Sequence, residues 1–373
     1  MSQTSGPGAL VLAGFEGTEP DSEELRALEA LGVGGYIVFG RNVESPAQVH
    51  ALLDSIRARA EGRPLLLAVD QEGGRVARLR APLTEWPPMA QLGDTRDEAL
   101  AREVGAGIAR ELQALGFNLD FAPVLDIRYP KTTDAIGDRS LGPDPSSVAK
   151  LGRALIEGIQ GQGVLACAKH FPGHGHVTAD SHYELPCCRL KPDELHQSDL
   201  VPFREAIFAG VGAIMTAHVV YEEVDPKNPA TLSYSILTDL LRLKLGFEGV
   251  IFTDDLGMGA ISETGGIGQA AVRSVRAGAD GLLVCRHLDA VREVVDHLNE
   301  ACDQDPSFAA RCGQSRAKLV DAAQSFPARP QPVEALATTL GTPAHQELAV
   351  RASAAVASGG PSPDPTTYDT KRT

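Results

Sequence analysis

The chain has 373 residues, 43% of them hydrophobic and 22% charged, which is typical of a globular protein with a large core. Its formal net charge of −15 argues against nucleic acid or an anionic membrane as a partner, because such partners need clustered Lys and Arg. Six cysteines without a CxxC pair favour a reducing compartment over a disulfide framework.

The chain shows no signal for a membrane or for export. No apolar stretch approaches the length that a bilayer span requires. Residues 8–15 are too short and too rich in flanking glycine to form the core of a signal peptide, and no basic region precedes them. We therefore expect a cytoplasmic protein that binds neither nucleic acid nor membrane, and we expect a monomer.

Eight short apolar runs alternate with longer amphipathic segments. The apolar runs are 10–15, 35–39, 65–69, 119–125, 164–170, 213–218, 250–254 and 281–285. The segments that predict helices are 22–31, 46–59, 97–115, 146–160, 200–209, 236–245, 267–277 and 288–301. Continuous apolar strands are typical of a parallel sheet buried on both faces. The pattern predicts an α/β fold in which residues 1–326 form a single (β/α)₈ TIM-type barrel.

A doubly wound open sheet is the alternative. Such a sheet usually carries a glycine-rich phosphate turn after its first strand. The sequence FEGTE follows the first strand here, at residues 15–19, with two carboxylates and no GxGxxG motif. The barrel is therefore the preferred interpretation.

The composition changes after residue 326. Residues 327–343 are rich in Pro, Ala and Thr, residues 345–358 have the pattern of one helix, and residues 359–373 have the composition of a disordered segment. We interpret residues 327–373 as a C-terminal tail rather than a second domain.

Polar residues stand at the ends of five successive predicted strands. They are Asp70, Asp126, Lys169 with His170, His218 and Asp254. The carboxyl ends of barrel strands converge on one mouth, where activity resides. Any one of these residues could be a helix cap, but five strands in succession indicate a functional site.

The loop after the fifth strand is dense in groups that transfer protons, including four histidines between positions 170 and 182. In extended backbone Asp180 and His182 project to the same side, so the carboxylate can accept the Nδ1–H of the imidazole. The free Nε2 would then exchange a proton with substrate. A turn Asp beside an exposed His also fits this short pattern.

A metal site is another interpretation of the same loop. His174, His176, Asp180 and His182 have a spacing that zinc ligands could adopt. The glycines around His174 leave no rigid element to preorganise such a site. We expect neither a metal nor another cofactor.

The seventh strand ends in two carboxylates, Asp254 and Asp255. Neighbouring strand residues point to opposite sides, so only one of them can face the barrel axis. A carboxylate in the mouth suits nucleophilic attack on a sugar anomeric carbon. The other, Asp255, has the position of a helix cap.

Acidic and guanidinium groups in two further loops suit a sugar. The sequence DQEGGRVAR places Asp70 and Arg78 after the third strand, and GDRS places Arg139 after the fourth. Carboxylates and forked guanidinium donors together match the vicinal hydroxyls of a carbohydrate.

These segments in order resemble glycoside hydrolase family 3, specifically its β-N-acetylglucosaminidases. The matching motifs are DQEGGRVARLR at 70–80, FAPVLDI at 121–127, GDRS at 137–140, KHFPGHG at 169–175, DSH at 180–182, IMTAHV at 214–219 and FTDDLGM at 252–258. Each motif alone is weak, whereas the ordered set is specific.

The resemblance implies a role for each matching position. Asp254 corresponds to the nucleophile, and His182 to the acid/base oriented by Asp180. The residues that hold the terminal N-acetylglucosamine correspond to Asp70, Arg78, Arg139, Lys169 and His170. Position 176, often acidic in the family, is His176 here, and its effect stays open.

The implied activity is retaining hydrolysis of β-linked GlcNAc from peptidoglycan (muropeptide) or chito-oligosaccharide fragments, as in peptidoglycan turnover and cell wall recycling. An imidazole near the anomeric centre also leaves room for an anionic acceptor, so a β-GlcNAc phosphorylase is an alternative. A broader β-glucosidase is a second alternative, and a non-catalytic sugar-binding barrel is a third.

Overall fold

Eight short parallel strands close into a barrel. The computed structural model describes residues 6–130, 132–177, 185–262 and 265–353. The barrel strands are β1 (Val11–Ala13), β2 (Gly35–Val38), β3 (Leu66–Val69), β4 (Leu119–Asp120), β5 (Leu165–Phe171), β6 (Ala213–Thr216), β7 (Val250–Asp255) and β8 (Gly281–Val284). Each strand pairs with its neighbours in sequence, and β8 pairs with β1. The predicted (β/α)₈ barrel is therefore confirmed, and the open sheet is wrong.

Helices surround the barrel. They are α1 (Glu23–Ala30), α2 (Pro46–Arg59), α3 (Met89–Thr95), α4 (Glu98–Leu115), α5 (Pro145–Gly161), α6 (Pro192–Gln197), α7 (Leu200–Phe208), α8 (Gly259–Ser262), α9 (Ile267–Ala277), α10 (Leu288–Gln304), α11 (Pro306–Ser325) and α12 (Pro343–Ser353). A π-helix, Ser235–Lys244, follows β6, and short 3₁₀ turns lie at Pro7–Leu10, Gly40–Asn42, Gly137–Arg139, Ala230–Leu232 and Val333–Thr338. None of the described helices combines the length and apolarity needed to cross a membrane.

The starts of several helices are encoded locally. Ser45 and Asp144 each accept a backbone N–H of the first turn, and each precedes a proline at the first helical position. Asp305 caps α11 in the same way. Proline suits that position because its missing N–H would have no partner there.

The fourth strand is shorter than predicted. Regular pairing stops after Asp120, because Pro123 has no N–H to donate to a ladder. The chain rejoins β5 through a bridge between Val124 and Lys169, and Leu125 N donates to Lys169 O at 2.7 Å. Asp126 therefore follows an irregular segment rather than a strand.

The segment after residue 326 packs against the barrel helices as far as the structure describes it. Leu336, Leu340 and Ala352 are buried in the same core as the barrel residues. The Nδ1 of His345 on α12 lies 3.0 Å from Glu111 Oε1 on α4. α12 corresponds to the helix predicted at 345–358, and the division of the chain at residue 326 stays a prediction.

Candidate active site

A buried carboxylate, Glu72, organises the mouth of the barrel. It lies in a short hairpin, Gln71–Gly73 with Val76–Ala77, directly after β3. Arg139 donates to both Glu72 oxygens, from Nε and Nη2, at 2.8 Å each. Lys169 Nζ lies 2.6 Å from Glu72 Oε1 and 2.7 Å from Asp70 Oδ1. Three predicted residues from three loops or strands thus share one ionic network.

The charges in this network stabilise one another. Burial by itself would raise the pKa of Glu72, but Arg139 and Lys169 hold it well below the ordinary value. Burial would lower the pKa of Lys169, but Asp70 and Glu72 hold it above the ordinary value. The pKa of Arg139 is raised by Glu72 against the same opposing effect of burial. All three side chains are therefore ionised at neutral pH.

Asp70 and Arg78 form the more open edge of the network. Arg78 Nη2 lies 3.7 Å from Asp70 Oδ2, and the two side chains are 20% and 15% exposed. The guanidinium carbon of Arg78 lies 5.5 Å from the centroid of the Phe39 ring. An acceptor and a forked donor thus reach the surface of the mouth, as recognition of sugar hydroxyls requires.

A second buried carboxylate, Asp126, orients His170. Its Oδ2 lies 2.6 Å from His170 Nδ1, and its Oδ1 accepts the backbone N–H of His174 at 2.6 Å. Burial alone would raise the pKa of Asp126, but His170 lowers it below the ordinary value. The carboxylate therefore accepts a hydrogen bond from His170 Nδ1–H, which fixes the orientation of the ring.

The two carboxylates of β7 have different surroundings. The Oδ1 of Asp255 accepts N–H groups from Gly257 at 3.0 Å and Cys285 at 3.1 Å, so this side chain closes the turn after β7. Asp254 Oδ1 accepts the backbone N–H of Asp255 at 2.8 Å, and Asp254 is partly exposed. Asp255 thus holds the turn after β7, and Asp254 lies beside it at the carboxyl end of the strand.

Asp254 shares the mouth with Asp70. Burial raises the pKa of the Cys285 thiol, and the charges of Asp255, Asp70 and Asp254 raise it further. Asp70 follows β3 and Asp254 lies at the carboxyl end of β7, and the barrel strands are parallel, so both carboxylates lie at the same end of the barrel. Asp254 therefore shares this end with the network around Glu72.

His218 lies two residues after β6 and has a structural environment. Its Nε2 lies 3.0 Å from Asp255 O, and its Nδ1 lies 2.7 Å from Thr231 Oγ1. Because a carbonyl only accepts, Nε2 carries the proton. Burial lowers the pKa of His218 although Asp254 opposes this shift. The residue is a neutral support beneath the β7 turn.

The loop after β5 is described as far as Val177, so Asp180 and His182 lie outside the described residues. His174 is buried, and burial lowers its pKa to about 4 despite the nearby Asp126. His176 instead stacks on Tyr129, with ring centroids 3.7 Å apart. Within the described part of the chain, no three His, Cys, Asp or Glu side chains form a cluster suited to a metal.

The sequence predicts no role for Glu72, and it places Asp126 at a strand end without assigning it a partner. Glu72 lies inside the DQEGG motif, and Asp126 ends the VLD motif, so both had a visible signal. Their roles depend on partners 67 and 44 residues away in sequence, which no local pattern shows.

The fold and the mouth define the class of protein: a (β/α)₈-barrel enzyme with its functional groups at the carboxyl ends of the strands. The sequence profile described as "Glycosyl hydrolase family 3 N terminal domain" matches residues 8–311. The chain therefore belongs to glycoside hydrolase family 3, as its motifs predict.

The names of similar proteins specify the type of activity more closely. Proteins named Beta-hexosaminidase from Thiobacillus denitrificans and Tolumonas auensis are 44% and 45% identical to this chain, covering 79% and 76% of it and 82% and 84% of their own lengths. The enzyme is a glycoside hydrolase of the β-N-acetylhexosaminidase type, which confirms the predicted enzyme class.

Solved structures agree with this assignment. A family 3 β-N-acetylglucosaminidase from Paenibacillus sp. str. FPU-7 superposes with a TM-score of 0.89 at 40% identity, covering 95% of this chain and 69% of that one. NagZ from Neisseria gonorrhoeae, in complex with N-trifluoroacetyl-D-glucosamine, superposes with a TM-score of 0.78 at 36% identity, covering 94% and 98%.

Proposed function

We propose that this enzyme is a retaining exo-β-N-acetylglucosaminidase that removes non-reducing terminal GlcNAc through a covalent ester on Asp254. The observation that carries the proposal is the position of Asp254: partly exposed at the end of β7, on the same mouth as the Asp70–Lys169–Glu72–Arg139 network. Asp70, Arg78, Arg139, Lys169 and His170 hold the sugar, and His182, oriented by Asp180, is the acid/base.

The first half of the cycle forms the ester. A carboxylate oxygen of Asp254 attacks C1 of the sugar while the bond from C1 to the leaving oxygen breaks. His182 gives its proton to that oxygen, so the aglycone leaves as a neutral alcohol. The cationic side chains around Glu72 hold the sugar by its hydroxyls, which places C1 against the nucleophile.

The second half releases the sugar. Neutral His182 takes a proton from water as the water oxygen attacks C1, and the bond between C1 and Asp254 breaks. Two inversions restore the β configuration. An imidazole with an ordinary pKa near 6.5 suits both the acid and the base step near neutrality.

The proposed substrates are muropeptide or chito-oligosaccharide fragments. We further propose that the enzyme is a monomer and acts in the cytoplasm. The NagZ complex with N-trifluoroacetyl-D-glucosamine supports the sugar part of this proposal, because that relative binds a GlcNAc derivative. Glycosidase assays with aryl β-GlcNAc and aryl β-glucoside, each with and without phosphate, test it. Faster turnover of the glucoside, or a product carrying phosphate at C1, would favour one of the two alternative activities.

Trapping with a fluorinated GlcNAc donor tests the nucleophile. We expect a stable adduct whose mass maps to the peptide containing Asp254, and no adduct in the Asp254→Asn variant. A label on another carboxylate would refute the assignment.

His182→Ala tests the acid/base. We expect kcat/KM for glycosides with poor leaving groups to fall by about 10²–10⁴, while kcat/KM for a 2,4-dinitrophenyl glycoside changes little, since that leaving group needs no proton. Azide, a nucleophile that needs no base, should restore kcat. His297→Ala on the outer helix α10 is the matched control, and equal losses for both substrates in His182→Ala would remove His182 from the acid role.

A further inference from the structure

We propose that His176 is a positioning residue that fixes the chain leading into the segment with the acid/base His182. The inference rests on the proposed function of His182. It assigns a role to a histidine that contacts none of the described sugar-binding residues but lies six positions before the proposed acid.

A buried carboxylate holds His176. The Nε2 of His176 lies 3.3 Å from Asp199 Oδ2, and Asp199 directly precedes α7 with its side chain only 1% exposed. Ser198 Oγ donates to the same Oδ2 at 2.8 Å, and Tyr129 OH donates to it at 3.2 Å. Asp199 Oδ1 has no hydrogen-bond partner among the described residues. Three donors thus converge on one oxygen of a carboxylate that water hardly reaches.

The ring of His176 has a second contact. It stacks on Tyr129 with 3.7 Å between the centroids and 32° between the ring planes. Burial raises the pKa of Tyr129, and the charge of Asp199 raises it further, so the phenol stays a neutral donor. His176, Tyr129 and Asp199 are therefore linked pairwise, by one stack and two bonds to the carboxylate. We call these three residues the stem clamp.

The backbone on either side of His176 is anchored as well. Thr132 Oγ1 donates to Gly175 O at 2.6 Å, and Thr133 N donates to Val177 O at 3.2 Å. A Cβ on Gly175 would lie 2.1 Å from Ile127 O, so only glycine allows this close approach. The 127–133 loop thus holds residues 175–177 along their length.

The His176 side chain can influence the direction in which the chain continues after Val177. The backbone bonds attach residues 175–177 to the 127–133 loop, whereas the stem clamp ties that loop and the chain together to α7. Without the His176 side chain, Tyr129 would still connect α7 to this unit through its hydrogen bond to Asp199. Loss of His176 should therefore displace the proposed acid relative to the sugar without removing any sugar contact.

The leaving-group dependence of kcat/KM tests this role, because a purely structural residue would not change it. In His176→Ala we expect kcat/KM for an alkyl or GlcNAc-linked leaving group to fall by about ten- to a hundredfold, as a small displacement of an acid does. For the 2,4-dinitrophenyl glycoside we expect a change within about twofold. His176→Gln keeps a donor near Asp199 and should recover most of the loss.

Two further variants complete the test. In the His182→Ala background, His176→Ala should add nothing to the leaving-group dependence, since its effect acts through His182. Tyr129→Phe keeps the stack and removes one bond to Asp199, so it offers a milder lesion if His176→Ala folds poorly, and it should show a smaller selective loss.

The outcomes separate the two proposals. Suppose that His182→Ala shows the leaving-group dependence, but that His176→Ala and Tyr129→Phe lower kcat/KM equally for both substrates. The stem clamp then has no positioning role. If His182→Ala itself shows no such dependence, the proposed acid/base fails, whatever the His176 variants do.

Discussion

The two ends of the barrel each hold one buried carboxylate between two cations. At the mouth Glu72 lies between Arg139 and Lys169. At the opposite end Asp280, one residue before β8, is fully buried and pairs with Arg242 and, at 3.0 Å, with Arg311. The two networks have the same charges, one carboxylate and two cations, but very different surroundings.

The network around Asp280 is closed. Arg242 also donates to Phe247 O at 2.8 Å and Gly249 O at 2.6 Å, and Arg311 donates to Gly278 O at 2.9 Å. Backbone carbonyls thus accept further N–H groups of Arg242 and Arg311.

The network around Glu72 continues instead to Asp70 and Arg78, which reach the surface of the mouth. In a barrel the carboxyl ends of strands serve activity and the amino ends serve stability. The comparison indicates that an ion network becomes functional when it leaves a polar edge open to substrate.

Among substitutions of the buried carboxyl groups, Glu72→Gln should have the largest effect on catalysis. Two buried cations would lose their shared counter-charge and their fixed orientation against the sugar. We expect kcat/KM to fall by about 10²-fold, together with a loss of stability typical of a broken buried ion pair. Kinetics measured well below the unfolding transition, with the folded fraction known, separate the two effects. Unchanged kcat/KM in the folded variant would show that the mouth network is only structural.

Asp280→Asn should affect stability alone. Removal of the charge leaves Arg242 and Arg311 buried with a neutral partner, which costs about 3–5 kcal/mol in comparable pairs. We expect the free energy of unfolding, measured with denaturant, to fall by that order while kcat/KM of the folded enzyme stays within about twofold. A selective loss of kcat/KM would contradict the division between the two ends.

Asp120→Asn should have the smallest effect and sharpens the comparison, because this buried carboxyl forms no ion pair with any described residue. Its Oδ1 accepts the Gln71 N–H at 3.0 Å, and Oδ2 has no partner among the described residues. Burial raises the pKa of Asp120 well above the ordinary value, and Asp70 and Glu72 add to this shift. Folding therefore favours the protonated carboxyl, and Asn resembles that form.

The sign of the pH dependence follows from this shift. A folded-state pKa above the unfolded value near 3.9 gives stability that is complete below that pH and is lost as pH rises. The Asp120→Asn variant does not lose stability in this way, because its side chain does not ionise. Its free energy of unfolding relative to wild type should increase with pH above about 4, by at most about 1.4 kcal/mol per pH unit. Denaturant unfolding at several pH values measures it, and a difference that shrinks with rising pH would mean that Asp120 is ionised.

The contribution of Glu72 to stability depends on pH in the opposite direction, so it serves as a reference for that of Asp120. Its folded-state pKa is lowered, so its contribution is present above the unfolded value near 4.3 and is lost as pH falls.

Much of the architecture could be predicted from local patterns. All eight strand positions overlap the predicted apolar runs, since burial on both faces of a parallel sheet demands continuous apolar sequence. The error at 119–125 arose because Pro123 lies inside an apolar run and cannot pair like its neighbours.

The candidate site was only partly predictable. Lys169 stands at a strand end in the sequence, but its contact with Asp70 spans 99 residues. His218 also stands at a strand end, yet its ring supports the β7 turn and takes no place in the sugar network. Position along a strand therefore indicates the mouth without distinguishing its functional groups from its supports.

By itself the sequence determined the repeated βα order, the approximate positions of the strands and the family, because these depend on neighbouring residues and on ordered motifs. Only the tertiary structure decided which charges share a buried network, that Asp126 orients His170, and that His176 meets Asp199 and Tyr129. The physical reason is that ionisation and orientation depend on burial and on partners brought from distant strands.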